Sequence, residues 1–323
     1  MAASRNKRNI DLPARVSQQL AARLAGSESL CVGLSGGCDS VVLLHLLSRQ
    51  PRQGRLSAIH VHHGLSPNAD AWADFCAGLC AQLGIPLQIR PVQVDRTAGL
   101  GLEAAARQAR YQAFSAIEAD CLLLAHHRGD QAETLLFNLL RGTGIVGAAG
   151  MQGERQVGSY RLLRPLLGAS RAEIERYALA HGLSWVDDES NRDLSLSRNY
   201  LRHEVLTVAS RHFPAAESAL AQAAENFAEA GVLLDELAAA DWLAVAEQED
   251  ARLDALRLLS GARLKNLLRY RLRCLGWRVP VAARIDEFAR QLCSAGPDRH
   301  PELRLPDGVM RAGRGRLCWL AEK

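Results

Sequence analysis

The chain has 323 residues, of which 48% are hydrophobic and 23% charged, with a formal net charge of +4. That balance excludes a disordered polyelectrolyte and leaves enough chain for two domains with a core each. No run approaches the ~20 apolar residues of a membrane span, and the basic start, Arg5 to Arg8, is not followed by the apolar stretch of a secretion signal. Eight cysteines without a C-x-x-C pair argue against a zinc or iron–sulfur framework and for a reducing cytoplasm.

In chain order, the pattern predicts helices alternating with strands. Residues 11–25 read as a short amphipathic helix, Leu30 to Leu34 as a buried strand, and Val41 to Leu47 as the helix leaving it. Leu56 to His62 is a second strand, followed by a turn at His63 to Ser66 and a helix from Asp70 to Leu83. Ile85 to Ile89 is a third strand, shortened by Pro86. Leu102 to Ala119 reads as a helix, Cys121 to Ala125 as a fourth strand, and Asp130 to Leu140 as a helix. Gly142 to Gly158 is glycine-rich and reads as a mobile loop; structure resumes at Leu162 to Leu167, before a helix from Arg171 to His181. Ser184 to Asn199 is polar and irregular.

At Phe213-Pro214 the pattern changes to a long, alanine-rich, acidic helix, which puts a domain boundary there. Residues 1–213 form one domain, and residues 214–323 a second, mainly helical one that closes with a hairpin from Leu303 to Leu320, turned at Pro306-Asp307-Gly308. The first part is an α/β fold with a doubly wound, mostly parallel sheet, in which ligands bind beyond the carboxyl ends of the strands. The loops after Leu34, His60 and Ala125 therefore meet at one site.

The stretch Leu34-Ser35-Gly36-Gly37-Cys38-Asp39-Ser40 joins the first strand to its helix. Gly36 and Gly37 let the backbone approach an anion, and Ser40 or Asp39 can cap the helix whose amides point at it. A carboxylate at Asp39 makes sense beside phosphates if a divalent cation bridges them. No G-x-x-x-x-G-K-[ST] occurs, so the loop is not a Walker A. His60, His62 and His63 end the second strand and His126-His127 the fourth; no H-E-x-x-H is present, and polar strand-end residues are the better reading than zinc ligands. Asp130 and Glu133 share the first turns of a helix, where they can hold Mg²⁺, take a proton from an amine, or merely complement the helix dipole. Glu103, Arg107, Arg110 and Tyr111 share a helix face, as a surface ion pair or as arginines presented to a triphosphate or RNA.

Charge is uneven. Pro214 to Asp250 holds nine acidic residues and no Lys or Arg, whereas residues 251–323 hold sixteen Lys or Arg against seven acids. Either a polyanion contacts the C-terminal part or the charges form a solvated surface. Arginine supplies 36 of the 39 basic residues, and its planar fork suits phosphate.

The string S-G-G-x-D-S resembles the signature of the N-type ATP pyrophosphatases, which grip the pyrophosphate of ATP and release it as AMP is transferred. After it come His62-His63-Gly64-Leu65, the run Leu102 to Arg107 through Arg110-Tyr111, and Ala125-His126-His127 with Asp130-Gln131-Ala132-Glu133-Thr134. Leu140-Arg141-Gly142-Thr143-Gly144, Arg164-Pro165-Leu166-Leu167, Asp188-Glu189-Ser190-Asn191 and Arg198-Asn199-Tyr200-Leu201-Arg202 follow. This series is similar to the tRNA(Ile)-lysidine synthetases. More weakly, Leu264 to Leu272 and Leu303 to Leu320 resemble that family's helical substrate-binding domain.

The resemblance implies an ATP-dependent C–N ligase that adenylates the C2 oxygen of the wobble cytidine in an isoleucine tRNA with a CAU anticodon. Pyrophosphate leaves, the ε-amine of free lysine displaces AMP, and decoding moves from AUG to AUA. ATP and Mg²⁺ are the implied cofactors, and that tRNA and free L-lysine the partners. The implied location is cytoplasmic, away from any membrane, and a homodimer is compatible with it. By the same resemblance Ser35, Gly36, Gly37, Cys38, Asp39 and Ser40 hold ATP, with His63 lining the nucleotide site. Cys38, at the variable position, is incidental to the chemistry. Asp39 and Asp130 are the Mg²⁺ candidates. Asp39, Asp130, Glu133 and Arg107 form the catalytic set, with Asp130 or Glu133 assisting deprotonation of the lysine. Glu103, Arg110, His126, Arg141, Asn191, Arg198, Asn199 and Arg202 surround the tRNA or lysine, and Arg269, Arg271 and Arg273 are the expected basic surface for tRNA.

Two departures matter. Family members usually show two adjacent aspartates before the glutamine, and here the first is Gly129, for which weaker Mg²⁺ binding or a lower rate is expected. Some members carry a further C-terminal domain that grips the acceptor stem, and this chain ends before one. The competing readings are a tRNA thiolase of the same superfamily, against which the missing C-x-x-C counts, and a catalytically silent RNA-binding relative, which Gly129 alone favours.

Overall fold

A computed structural model describes residues 11–51, 53–94, 102–296 and 299–322, with the side chains of Leu102 and Glu103 outside that set. The chain divides into two compact units, Met1–Ala228 and Glu229–Lys323.

In the first unit, β1 (Leu30–Gly33), β2 (Leu56–His62), β3 (Leu87–Pro91), β4 (Cys121–Leu123), β5 (Glu154–Val157) and β6 (Tyr160–Leu163) form a sheet in the order β3-β2-β1-β4-β6-β5. Every neighbouring pair runs parallel except the β5–β6 hairpin. Around it lie α1 (Leu12–Ala21), α2 (Cys38–Ser48), α3 (Ala69–Leu83), α4 (Leu102–Phe114), α5 (Arg128–Leu140), α6 (Ile145–Ala148), α7 (Arg171–Ala180), α8 (Ser197–Tyr200) and α9 (Thr207–His212).

The period of two along the strands explains the two layers. Leu30, Val32, Ala58, Cys121 and Leu123 face a core shared with α1, α2 and α7, while Cys31, Ile59, Leu122 and Leu162 face Phe114 and Ile117 on the other side. Helix α2 is buried nearly all round, with Val41 to Leu44 fully buried, which accounts for its unbroken apolar run. β3 is an edge strand, where Pro91 costs no ladder bond.

Gly142 to Gly158 differs from the expected mobile loop: it holds α6 and β5. The Gln131 side chain clamps it, accepting from the Met151 N–H at 2.8 Å and donating to the Met151 carbonyl at 3.1 Å. The strand was hidden because Glu154-Arg155-Gln156-Val157 is polar, as suits a sheet edge. The irregular stretch after Ser184 contains a 3₁₀ turn, Glu189–Arg192, before α8. A π-helical segment, Leu201–Leu206, then runs into α9.

Helix α10 (Ala216–Val245) crosses the dividing point and packs its first turns on α5 through Leu220, Ala224 and Phe227 against Leu135. The second unit continues with β7 (Ala246–Glu247), β8 (Asp250–Arg252), α11 (Leu253–Leu256), α12 (Gly261–Cys274), α13 (Ala282–Ser294), β9 (Glu302–Leu305), β10 (Gly308–Gly313) and β11 (Arg316–Ala321). The expected hairpin is part of a larger antiparallel sheet, order β7-β8-β11-β10-β9. Gly308 is needed at the β9–β10 turn, because a side chain there would run into the Leu320 carbonyl and the Trp277 ring. Leu264, Leu267, Leu268 and Leu272 of α12 meet Ile285, Phe288 and Leu292 of α13 over Leu303, Met310 and Leu317.

The expected basic surface on α12 is corrected. Arg271 is buried, its guanidinium 3.7 Å from the centre of the Trp242 ring and 5.6 Å from that of Trp319. Arg273 is ion-paired to Asp235, and Arg269 lies 4.0 Å from Asp286, which also takes Lys265 at 3.1 Å. The spacing that put these arginines in one run also turns Arg271 inward. Among the described residues no helix is long and apolar enough to cross a membrane.

Replacing Arg271 by alanine should therefore lower the stability of the second unit by about 2 kcal/mol, through lost cation–π and packing contacts. Arg269→Ala should cost under about 0.5 kcal/mol. Urea denaturation followed by tryptophan fluorescence compares them, and equal losses would show that the Trp242 contact holds nothing.

Candidate active site

The site is built where α2, α5 and α7 begin, at the carboxyl ends of the parallel strands. Backbone bonds lock these turns together: the Arg128 N–H donates to the Ala169 carbonyl at 2.8 Å, and the Val186 N–H to the Gly36 carbonyl at 3.0 Å. Gly36 has φ +89°, and a side chain there would stand 2.8 Å from Val186 Cγ2. Ser40 Oγ donates to the Gly37 carbonyl at 2.9 Å and accepts from the Ser35 N–H at 3.2 Å, while Ser35 Oγ accepts from the Gly37 N–H at 3.3 Å. The two serines thus brace the turn.

Neither Ser40 nor Asp39 caps α2. The N-cap is Gly37, which has no side chain to offer, so the first amides of α2 keep their donors for another acceptor. The Cys38 thiol is buried in the core, where burial pushes its pKa up to about 11. Only its backbone belongs to the turn.

Asp39 Oδ2 accepts from Arg171 Nη1 at 2.6 Å, whereas Oδ1 is buried without a partner. Burial raises the Asp39 pKa against the charges of His127, Arg171 and Arg202, which lower it. An unpartnered buried carboxylate oxygen is costly unless something else meets it. Among the described residues no three His, Cys, Asp or Glu side chains converge as a metal cage. A divalent ion at Asp39 would have to draw its remaining ligands from phosphate and water.

Helix α5 is capped by His127, whose Nδ1 accepts from the Gly129 N–H at 3.0 Å; Asp130 Oδ2 accepts from the His127 N–H at 2.9 Å in return. Arg202, from the π-helical segment, grips Glu133 with both nitrogens, Nε to Oε1 at 2.6 Å and Nη2 to Oε2 at 3.0 Å, and reaches Asp130 Oδ1 at 3.4 Å. Burial works against ionisation of both acids. For Asp130 it is outweighed by His127, His126 and Arg202, so its pKa is lowered; for Glu133 burial prevails and the pKa is raised.

The other expected residues divide. His126 Nδ1 accepts from Arg164 Nε at 3.1 Å, and burial holds its pKa down at about 3, so the ring is neutral. His63 has a buried, unpartnered Nδ1, and burial, with Arg110, His60 and His62, lowers its pKa to about 4. Arg107 and Arg110 are exposed, Arg107 lying over the Tyr111 ring at 5.1 Å. The Glu103 side chain lies outside the described residues. Arg141 caps the end of α5, 5.1 Å over Phe137 and outside the Arg202 cluster's bonds. Asn191 lies on the exposed 3₁₀ turn, where its carbonyl meets His203 Nε2 at 3.1 Å, and Arg198 sits half-buried in α8. Asn199 is buried and spends its amide on the Ser190 and Asp193 carbonyls, at 2.7 and 3.0 Å, which braces the loop.

Of the residues that this geometry brings to the site, His127 stands in the sequence only as a strand-end residue, Arg164 only within a motif, and Arg171 without any role. Arg171 carries a usable signal: a cation at the first helical position, inside the Ser170-x-x-Glu173 capping box, opposes the helix dipole.

Residues 11–209 match the family model of a PP-loop domain, and residues 252–318 that of the TilS substrate binding domain. A tRNA(Ile)-lysidine synthase of Aromatoleum aromaticum is 49% identical over 292 residues, covering 90% of this chain and 68% of that protein. One of Pseudomonas aeruginosa is 47% identical over 330 residues, covering 96% and 73%. The chain belongs to the tRNA(Ile)-lysidine synthase family. Among solved structures, the U34-tRNA thiolase NcsA of Methanococcus maripaludis is similar in fold, with a TM-score of 0.58 at 19% identity over 68% of this chain and 78% of that one.

Within this family's pattern, Gly129 has a local reason. A side chain at 129 would stand 2.8 Å from His127 Cε1 and 3.6 Å from Glu217 Oε2, and the other oxygen of Glu217 accepts from Arg128 Nε at 2.9 Å. The glycine leaves room for the capping ring. Gly129→Asp should expel His127 from the cap and lower stability by about 1 kcal/mol, read by chemical denaturation; an unchanged midpoint would show that the ring yields freely.

The depressed histidines also set a pH dependence. Between about pH 6.5 and 4 the unfolded chain binds protons that folded His63 and His126 refuse, so stability should fall as pH drops through that window. His45 and His60, lowered chiefly by burial, act in the same direction. Denaturation midpoints equal at pH 7 and pH 5 would contradict this.

Proposed function

We propose that the chain, as a tRNA(Ile)-lysidine synthase, joins free L-lysine to C2 of the wobble cytidine of a CAU-anticodon tRNA(Ile), through a cytidine adenylated by ATP. The observation that carries this is the half-buried carboxylate of Asp39, one of whose oxygens is buried without a partner, set in the Ser35–Ser40 turn and within electrostatic reach of Asp130 and Arg202. The turn and the Asp130, Glu133 and Arg202 cluster of charges thus lie close enough to act on one ligand set.

The turn supplies donors. Amides at the start of α2 receive the pyrophosphate of ATP, stabilising negative charge as it gathers on the leaving group. Mg²⁺, held by Asp39 with phosphate oxygens, would make the α-phosphate more electrophilic toward the weakly nucleophilic cytidine O2. Asp130 is the second Mg²⁺ candidate, but its oxygens are already engaged by His127 and Arg202, which favours Asp39.

The Asp130, Glu133 and Arg202 cluster is complementary to an amino acid, offering carboxylates to an ammonium and a guanidinium to a carboxylate. Glu133 is the better proton acceptor of the two acids, since its pKa is raised and that of Asp130 lowered. His63 stays neutral, so that it would present a lone pair or an N–H to the nucleotide without adding charge. Arg107, Arg110, Arg141, Asn191 and Arg198 are proposed contacts to the tRNA or lysine, and Glu103 is kept there by resemblance alone. The first unit would be the catalytic domain and the second the tRNA-binding domain, working in the cytoplasm as a monomer or homodimer.

Incubation with ATP, Mg²⁺, lysine and transcribed tRNA(Ile) should give lysine-dependent product and pyrophosphate. Asp39→Asn should slow pyrophosphate release by about 100-fold or more while leaving tRNA affinity nearly intact. No release with any amino acid would sink the reading, sulfide dependence would turn it toward thiolation, and joint loss of tRNA affinity in the variant would make the loop structural.

A further inference from the structure

Arg171 stands in the first turn of α7. The turn is rigid: Ser170 and Glu173 form a capping box, and Glu173 is tied to Arg15 at 2.8 Å. A cation in a first helical turn opposes the helix dipole, so helix stability alone would favour an acid here. What holds the guanidinium is a pair of carboxylates. Nη1 donates to Asp39 Oδ2 at 2.6 Å and Nε donates to Glu175 Oε1 at 2.7 Å. Asp39 itself opens α2 and keeps its second oxygen buried and unmet.

We propose that Arg171 is the resident counter-ion of Asp39, standing in for the divalent cation in the nucleotide-free protein and passing to the pyrophosphate oxygens when metal and nucleotide arrive. This rests on the reading of the Ser35–Ser40 turn as the pyrophosphate grip. A carboxylate desolvated at a helix start needs a positive partner, and a guanidinium supplies one that can be exchanged. The exchange leaves the arginine useful, because its planar fork pairs with phosphate as well as with carboxylate. Glu175 is the tether. With Nε held there, the guanidinium can leave Asp39 by turning its outer nitrogens, without leaving the site. The two steps are coupled: the metal takes the carboxylate and the released cation meets the anion that the metal brings.

The test is a Mn²⁺ titration of ATP binding to the full chain, with a fluorescent ATP analogue, Mn²⁺ electron paramagnetic resonance as an independent readout, and melting temperatures alongside. Arg171→Gln removes the competitor, so the half-saturating Mn²⁺ concentration should fall roughly fivefold, the worth of a partly exposed ion pair. Its affinity for inorganic pyrophosphate at saturating Mn²⁺ should also fall. Arg171→Lys should lie near the wild type in the first measurement. Glu175→Gln frees the guanidinium for Asp39 and should raise the half-saturating Mn²⁺. In an Asp39→Asn background, Arg171→Gln should have no further effect on Mn²⁺. An unchanged or raised Mn²⁺ requirement in a folded Arg171→Gln variant would overturn the proposal. Should that variant not fold, an unchanged requirement in Glu175→Gln would overturn it. Wild-type protein that binds ATP independently of Mn²⁺ would also overturn it while leaving the loop's nucleotide role intact, whereas wild-type protein that binds no ATP would overturn the reading of the loop as well.

Discussion

The site depends on keeping carboxylates ionised where water is scarce. Asp39, Asp130 and Glu133 sit at the starts of α2 and α5, and burial disfavours the charge of each. Two arginines from later in the chain meet them, Arg171 from α7 and Arg202 from the π-helical segment. Removing either would leave a buried charge uncompensated, a larger loss than the pair itself is worth. The folding of residues 164–206 is therefore what supplies these carboxylates with their counter-charges. A continuous α-helix would give the chain around Arg202 a different register, and π-segments recur at functional positions where a side chain has to be re-aimed.

The parts of this arrangement legible in the sequence are those encoded locally. The Ser35 to Ser40 turn, the apolar β1 and α2, and the spacing of Asp130 and Glu133 each depend on a few neighbouring residues, and each was read with its element. β5 was missed because an edge strand need not alternate. The π-segment has no sequence signature of its own, and the partner of its Arg202, Glu133, lies 69 positions earlier. Cys38 and Asn199 match family motifs, yet their side chains serve the core and a loop, a distinction that depends on which way a bond points. Arg171 shows the reverse: its misfit with the helix dipole was visible, but its partner, more than a hundred residues away, was not.

The same limit explains the charge asymmetry. An acidic α10 followed by an arginine-rich α12 reads as one repelling and one attracting surface. In the second unit the two segments neutralise each other, Asp235 with Arg273 and Asp241 with Arg263, and Arg271 turns inward to the tryptophans. Asp241 is almost fully buried, so its pairing is a structural requirement. A net count along the sequence overstates the field that a polyanion would feel, because it includes charges already spent on internal partners. Any tRNA-facing surface on this unit has to be built from arginines outside those pairs.

The balance of charge has a consequence for binding. A site lined by unpaired arginines would attract any polyanion, and one lined by bare carboxylates would attract any cation. Here Asp39, Asp130 and Glu133 each have an arginine counterpart, so a lone ion gains little by displacing one partner while stranding the other. A ligand that brings both signs, such as a metal-bound triphosphate or a zwitterionic amino acid, satisfies both halves of a broken pair at once. Paired charges thereby select for ligand charge pattern more than for net charge, and the selectivity follows from the cost of an orphaned buried ion. His63 and His126 fit the same logic: kept neutral by burial, they follow the strand ends without adding charge there.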